Sequence, residues 1–257
     1  MITFKSDRDI AKMRKAGQIV ADILKLMRDM VKPGIDTLTL DAAAEDLANK
    51  AGAKPAFTGY NVPWAPIPFP GTICASINSE IVHGIPSSVR ILQEGDIISI
   101  DTGVSLDGFY GDAACTYAVG KISEERQRLL DLTLESLHAG TAAVKPGATL
   151  GDIGYAVESV IIPAGMGLVR DYAGHGIGRR LHEAPQVPNF GKPGSGITVK
   201  PRITFCVEPM VMTGAESVKS LSDGWTVVTE DGSDAAHFEY SLLVTEDGAE
   251  ILTPWES

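Results

Sequence analysis

The sequence is poor in cysteine, in clustered positive charge and in long apolar stretches, and each scarcity excludes a class of protein. Only three cysteines occur in 257 residues (Cys74, Cys115 and Cys206), widely spaced and without a C-x-x-C pair. They supply neither a disulfide framework nor a zinc knuckle, so a reducing, cytoplasmic setting is expected. Lys and Arg number 22 against 33 Asp and Glu, a formal charge of −11. Without a run of basic side chains to displace counterions, neither nucleic acid nor an anionic membrane is an expected partner. No apolar stretch reaches the roughly 18 residues of a spanning helix. The opening segment MITFKSDRDIAKMRKAG interleaves charges where a signal peptide carries an apolar core.

What is present is a globular composition, 44 % hydrophobic and 21 % charged. It suffices for one large core or two fused halves, and it excludes disorder. Residues 7–31 carry Ile10, Met13, Gly17, Val20, Leu24, Met27 and Val31 at helical spacing, with Ser6 and Asp9 placed as a capping box. The stripe ends at Val31-Lys32-Pro33-Gly34, and a second helix is expected to about Gly52. The same pattern then recurs. Leu130, Leu134, Leu137, Thr141 and Val144 lead to Val144-Lys145-Pro146-Gly147, and Thr149 with Asp152 caps a helix bearing Ile153, Val157 and Val160. Each unit is followed by His-Gly-Ile (His83 and His175) and then by an acid closing an apolar run (Asp101 and Glu208). The repeat implies one domain, residues 1–257, built from related halves of roughly 7–120 and 121–250.

The remaining segments read as strands. Runs 91–102 and 108–119 flank Asp107-Gly108 as an antiparallel pair, and runs 203–212, 225–230 and 237–245 form a second set. In that set the last two are expected to be joined through Glu230-Asp231-Gly232-Ser233. Helix pairs mixed with strand sets give an α+β fold, with helices covering one face of a curved antiparallel sheet.

Acids embedded in apolar strands are the informative positions, because a buried charge is costly unless paired or metal-bound. A hairpin turning near 105–108 brings Asp101 beside Asp112, and two such carboxylates repel without a proton or cation between them. Glu208 ends its own apolar run, and Glu239 lies within His237-Phe238-Glu239-Tyr240. If the halves are symmetric mates, the four acids converge on the shared axis, with His175 as a fifth donor. Taken singly, each has a plainer reading as a turn, rim or structural residue. Together they form an oxygen-rich set able to hold two divalent ions that bind and deprotonate a water and polarise a carbonyl. Mn, Fe or Co suit it at least as well as Zn. His182-Glu183-Ala184-Pro185-Gln186 begins like H-E-x-x-H but lacks the second His, and Gly174-His175-Gly176-Ile177-Gly178 lacks the spacing of a phosphate loop.

From about residue 4 to 253 the chain resembles the type I methionine aminopeptidases of the pita-bread fold. The resemblance rests on Ile73-Cys74-Ala75-Ser76-Ile77-Asn78, His83-Gly84-Ile85-Pro86, Gly174-His175-Gly176-Ile177-Gly178, His182-Glu183-Ala184-Pro185-Gln186, Glu208-Pro209-Met210 and Asp223-Gly224-Trp225-Thr226. It implies a dinuclear site in which Asp112 and Glu239 bridge the ions, Asp101 completes one, and His175 with Glu208 completes the other. It also implies that Glu208 shuttles the proton, that His83 and His182 contact the substrate around the scissile amide, and that Tyr60, Phe69, Cys74 and Trp225 line a methionine pocket. The activity implied is removal of Met from peptides and nascent proteins with a small second residue. A monomer is expected, and ribosome association is expected for the role. The chain departs from the family in the Pro-rich stretch 61–68, in Leu181 and Ala173, and in His237-Phe238-Glu239-Tyr240, where Gln-x-Glu-His is usual. Proline-specific relatives usually carry a large N-terminal domain, whereas here the catalytic half begins near Met1. A binding protein of the same fold would typically have lost metal ligands, and all five are retained here.

Overall fold

The computed structural model describes residues 2–256. Helices α1 (Asp7–Met30) and α2 (Thr37–Lys50) form the first pair. The Ser6 hydroxyl accepts the Asp9 N–H at 3.2 Å while the Asp9 carboxylate accepts the Ser6 N–H at 3.1 Å, so two otherwise orphaned donors are satisfied where α1 begins. The helix stops at Val31, whose N–H still reaches Met27, and Gly34 at φ 90° turns the chain. Five strands follow: β1 (Lys54–Pro55), β2 (Ile73–Ile77), β3 (Glu80–Val82), β4 (Ile97–Leu106) and β5 (Phe109–Ala118).

The second pair, α3 (Glu124–Ala143) and α4 (Leu150–Ile161), repeats the design, with a capping box between Thr149 and Asp152. After it come β6 (Gly167–Leu168), β7 (Gly174–Gly176), β8 (Glu183–Val187), β9 (Thr204–Val207) and β10 (Met210–Met212). The chain ends through β11 (Val218–Ser220), β12 (Val227–Thr229), β13 (Ala235–His237), β14 (Tyr240–Val244) and β15 (Ala249–Ile251). The strand pairs are antiparallel. The α+β class expected from the sequence is therefore what the chain adopts. One sheet is β1-β4-β2 with β5 beside β4, and another is β15-β14-β9-β7-β8. Two three-stranded sheets, β13-β10-β6 and β11-β12-β3, take the remaining strands. Helix α1 packs on β4 and β5, and α3 on β9, β10 and β13.

Three strand expectations need correction. Run 91–102 becomes strand only at Ile97, because Gln93 and Asp96 close a turn (Gln93 N–H to the Asp96 carboxylate, 2.8 Å) around Gly95 at φ 93°. Run 203–212 is not one strand. Pro209 has no N–H to give a ladder, so Glu208-Pro209 separates β9 and β10, which then serve different sheets. Segments 225–230 and 237–245 do not pair with each other: β12 pairs with β11 and β3, and β14 with β9 and β15. Their partners lie far away in sequence, beyond what local pattern reveals.

Helix α1 meets the sheet backbone to backbone. A Cβ at Gly17 would stand 2.0 Å from the Leu252 carbonyl oxygen, and one at Gly111 would stand 2.8 Å from the Gly17 nitrogen. In an exposed helix, Gly→Ala stabilises by about 1 kcal/mol. At this contact Gly17→Ala is expected to do the opposite, lowering the melting temperature by about 5 °C through forced separation of α1 from the backbone at Leu252, as calorimetry will show.

Candidate metal centre

Strand pairing delivers the first two acids. Asp101 opposes Ala114, and Gly103 opposes Asp112, so Asp101 and Asp112 lie two residues out of step on one face of the β4–β5 ladder. Glu239 sits between β13 and β14, where its N–H donates to the Ala114 carbonyl at 2.9 Å and ties it to β5. A carboxylate oxygen from each of Asp101, Asp112 and Glu239 lies within 4.8 Å of the other two. Glu208 occupies the break after β9, and its carbonyl accepts from the Asn189 amide at 2.9 Å.

His175 is the central residue of β7. The glycines on either side let this strand sink between its neighbours: a Cβ at Gly174 would meet the Cys206 carbonyl oxygen at 2.2 Å, and one at Gly176 the Ala184 carbonyl oxygen at 2.2 Å. His175 Nδ1 lies 3.0 Å from the Gly176 carbonyl, which places the ring proton on Nδ1 and leaves the Nε2 lone pair free. That Nε2 is 3.6 Å from Glu208 Oε1 and 3.7 Å from Asp112 Oδ2. Two donors sharing one ion, each at about 2.1 Å, lie at most about 4.2 Å apart, so both separations suit a common cation.

Burial sets the electrostatics. It pushes the Asp101 carboxyl up to about 7. Burial, reinforced by the charges of the other acids, holds Asp112, Glu208 and Glu239 well above the usual carboxylate range. The imidazoles move down, His175 to about 3 and His83 to about 4, through burial and the neighbouring His182. Asp101 Oδ1, Asp112 Oδ1, Glu208 Oε1 and Glu239 Oε1 are buried without a hydrogen-bond partner. Four orphaned carboxylate oxygens beside neutral imidazole are the donor chemistry a divalent cation requires, and they fit one.

The acids form one wall of a cavity of about 510 Å³, which is lined by every site residue named from the sequence. Opposite them Phe69 and Trp225 meet edge to face at 5.2 Å, with Cys74 buried alongside and burial holding its thiol protonated. His83 follows β3 at φ 61°, a conformation disfavoured for residues with a side chain, and its ring meets Trp225 at 6.3 Å. His182 stands in the turn between β7 and β8, its ring 4.3 Å from that of His175, and its Nδ1 is 2.8 Å from the Tyr60 hydroxyl.

The departure at 61–68 is a closed excursion. Phe69 N–H donates to the Tyr60 carbonyl and Gly59 N–H to the Phe69 carbonyl, both at 2.8 Å, so the loop is pinched at its base. Within it Trp64, 75 % exposed, stands on the cavity rim, and the Ile67 carbonyl accepts Trp225 Nε1–H at 2.9 Å. Sequence reasoning did not place Phe57, Tyr172 or Met210 at the cavity. No spacing marks them, since each comes from a separate segment. Cys206 it read only as one of three widely spaced cysteines, although its thiol shares a 4.8 Å cluster with His175 and Glu239.

The profile of Metallopeptidase family M24 matches residues 11–246. Over 98 % of its length the chain is 47 % identical to methionine aminopeptidase 1 of Bacillus subtilis, covering 99 % of that protein. The crystal structure of methionine aminopeptidase from Thermotoga maritima superposes with a TM-score of 0.95 at 42 % identity, covering 98 % of this chain and 99 % of that one. The prolidase of Pyrococcus furiosus, 23 % identical, matches with a TM-score of 0.74 over 97 % of this chain but only 65 % of its own, a likeness of fold alone.

Proposed function

The chain belongs to metallopeptidase family M24 and, within it, to the methionine aminopeptidases of pita-bread fold, and on that premise we propose that Asp101, Asp112, His175, Glu208 and Glu239 hold two divalent ions. The activity is metal-dependent hydrolysis of the bond that follows an N-terminal methionine. The observation that carries the site assignment is the meeting of four orphaned carboxylate oxygens with a free imidazole lone pair at one wall of the cavity. Asp112 and Glu239 would serve both ions, Asp101 one of them, and His175 with Glu208 the other. Mn, Fe and Co suit these donors at least as well as Zn. Bound there, the ions supply a Lewis acid for the carbonyl and a nucleophile from water at neutral pH.

The side chains do the rest. Glu208, whose carboxylate stands at the cavity beside the ion site, takes the proton of the attacking water and passes it to the departing amine. The Tyr60 hydroxyl donates to His182 Nδ1, which leaves the proton on Nε2 to meet the oxyanion. His83, neutral through burial, holds the scissile amide. Tyr60, Phe69, Cys74 and Trp225 receive the methionine side chain, its thioether against ring edges, and the crowded rim at Trp64 admits a small second residue.

One catalytic unit spans residues 1–257. The half 7–120 brings Asp101 and Asp112, and the half 121–250 brings His175, Glu208 and Glu239; neither holds the ions alone. The substrates are N-terminal Met peptides and nascent polypeptides, met in the cytoplasm by a monomer at the ribosome. Among the described residues no helix is long and apolar enough to cross a membrane.

Chelator-stripped protein restored separately with Mn, Co, Fe or Zn is expected to release Met from Met-Ala and Met-Gly peptides and to spare Leu-Ala and Ala-Pro. Cleavage of the Ala-Pro peptide would move the activity to the proline-specific branch, and activity surviving complete metal removal would overturn the metal-centre reading.

A further inference from the structure

His237 ends β13, 1 % exposed, and neither ring nitrogen has a hydrogen-bond partner. A buried imidazole normally gives its N–H to a carbonyl or carboxylate and finds a donor for its lone pair. This one faces the cavity that holds the acids. Its Nε2 lies 3.9 Å from Glu208 Oε2, and donor atoms of Glu208, His237 and Glu239 all fall within 4.8 Å of one another. The backbone fixes its aim. The His237 N–H donates to Thr116 Oγ1 at 2.9 Å and its carbonyl accepts from the same hydroxyl at 2.8 Å, pinning the residue against β5. Two residues on, past the end of β13, Glu239 brings its carboxylate to the same cluster.

Glu208 thus stands between two histidines, Oε1 toward His175 at 3.6 Å and Oε2 toward His237 at 3.9 Å. Each separation falls under the about 4.2 Å that donors of one ion span, so each histidine can share an ion with the Glu208 carboxylate, which can join the two through its two oxygens. Cys206, the remaining soft donor nearby, is engaged by Ser241 Oγ at 3.5 Å.

We propose that His237 is a sixth protein ligand, joining His175, Glu208 and Glu239 on the same ion and giving that ion two imidazole donors. The assignment rests on the metal-centre reading above and adds to it. It makes the two ion positions chemically unlike: the Asp101 side is all oxygen, whereas the Glu208 side carries two nitrogen donors. Imidazole favours Fe, Co, Ni and Zn, while carboxylate and water favour Mn. A mixed pair, with the more thiophilic or nitrogen-seeking metal at the Glu208 side, follows from this asymmetry.

Zinc K-edge X-ray absorption of the full chain, loaded with two equivalents of zinc, tests the assignment. Two imidazole rings per pair of ions are expected, and His237→Gln, of similar reach but without the ring lone pair, halves the count. One ring per pair in the unsubstituted protein, which needs no variant to fold, or a count unmoved by His237→Gln, would overturn it. Calorimetric titration gives an independent reading: His237→Gln weakens zinc about tenfold or more and manganese less than about threefold. Equal losses for the two metals speak against ligation. A third tight equivalent of zinc that His237→Gln removes also overturns the shared-ion assignment, since His237 would then hold an ion of its own. Failure of the unsubstituted protein to take up zinc at all would sink the metal-centre reading itself, and this assignment with it.

Discussion

Asp112→Asn is expected to abolish turnover, by at least about a thousandfold, while making the metal-stripped protein more heat-stable. The loss follows from the bridging role, since the amide cannot supply the charge that two ions share. The gain follows from burial. Asp112 is 3 % exposed, and burial together with Glu239 raises its folded-state pKa above its value in the unfolded chain, 3.8. A group so raised contributes its full stability below about pH 4 and loses it as pH climbs through the folded-state value. At pH 8 the stripped protein therefore carries a penalty that asparagine removes. The variant is expected to melt about 5 °C higher than the stripped parent at pH 8, with the gap narrowing toward pH 5. Across this window His83, His175 and His237 are neutral in both folded proteins, and removing the Asp112 charge also relieves Asp101 and Glu239 beside it. Reconstitution with metal reverses the order, because only the parent gains the binding energy of the ions. Scanning calorimetry with and without chelator reads both effects; an apo variant no more stable than its parent would contradict the electrostatic account, and normal turnover would contradict the bridging role.

His182→Ala separates catalysis from metal binding. The His182 ring is held by Tyr60 and lies beside His175, yet the proposed role has it touch substrate rather than an ion. Stoichiometric metal by elemental analysis and a kcat lowered about a hundred- to a thousandfold are expected, the size that loss of one oxyanion donor commonly has. Tyr60→Phe is expected to reproduce part of that loss by freeing Nδ1 to carry the proton and so deprive Nε2 of it. Loss of metal from His182→Ala would instead make His182 a ligand.

The helical half of the fold was legible because its signals are local. Ser6 with Asp9 and Thr149 with Asp152 form the capping boxes their spacing announces, and both Val-Lys-Pro-Gly segments end helices. The Asp101–Asp112 juxtaposition was legible for the same reason, since a two-residue turn at Asp107-Gly108 fixes the register of β4 on β5. Strand β12 was misassigned because its neighbour, β3, lies about 145 residues away, and the turn at 230–233 reverses the chain without forming a ladder between its flanks. His237 presents the opposite case. Its position beside Glu239 was visible, but the fact that neither ring nitrogen finds a partner depends on what segments distant in sequence leave open.

The pinched base of the 61–68 loop has a consequence for how such a pocket can vary over generations. Tyr60 and Phe69 are anchored to each other by backbone hydrogen bonds at the neck of the excursion, so residues added or removed beyond the neck leave both side chains where they are. Closing a longer loop is inexpensive, about 0.6 kcal/mol for each doubling of its length. Length and sequence at the rim are thereby released from the geometry of the floor, and the rim becomes a replaceable part. Val62 and Ala65, which pack against the Phe69–Trp225 cluster, are exceptions, and so is Ile67, whose carbonyl steadies Trp225. Insertions before it can reshape which peptides enter; a shift of that one carbonyl would be felt in the pocket itself.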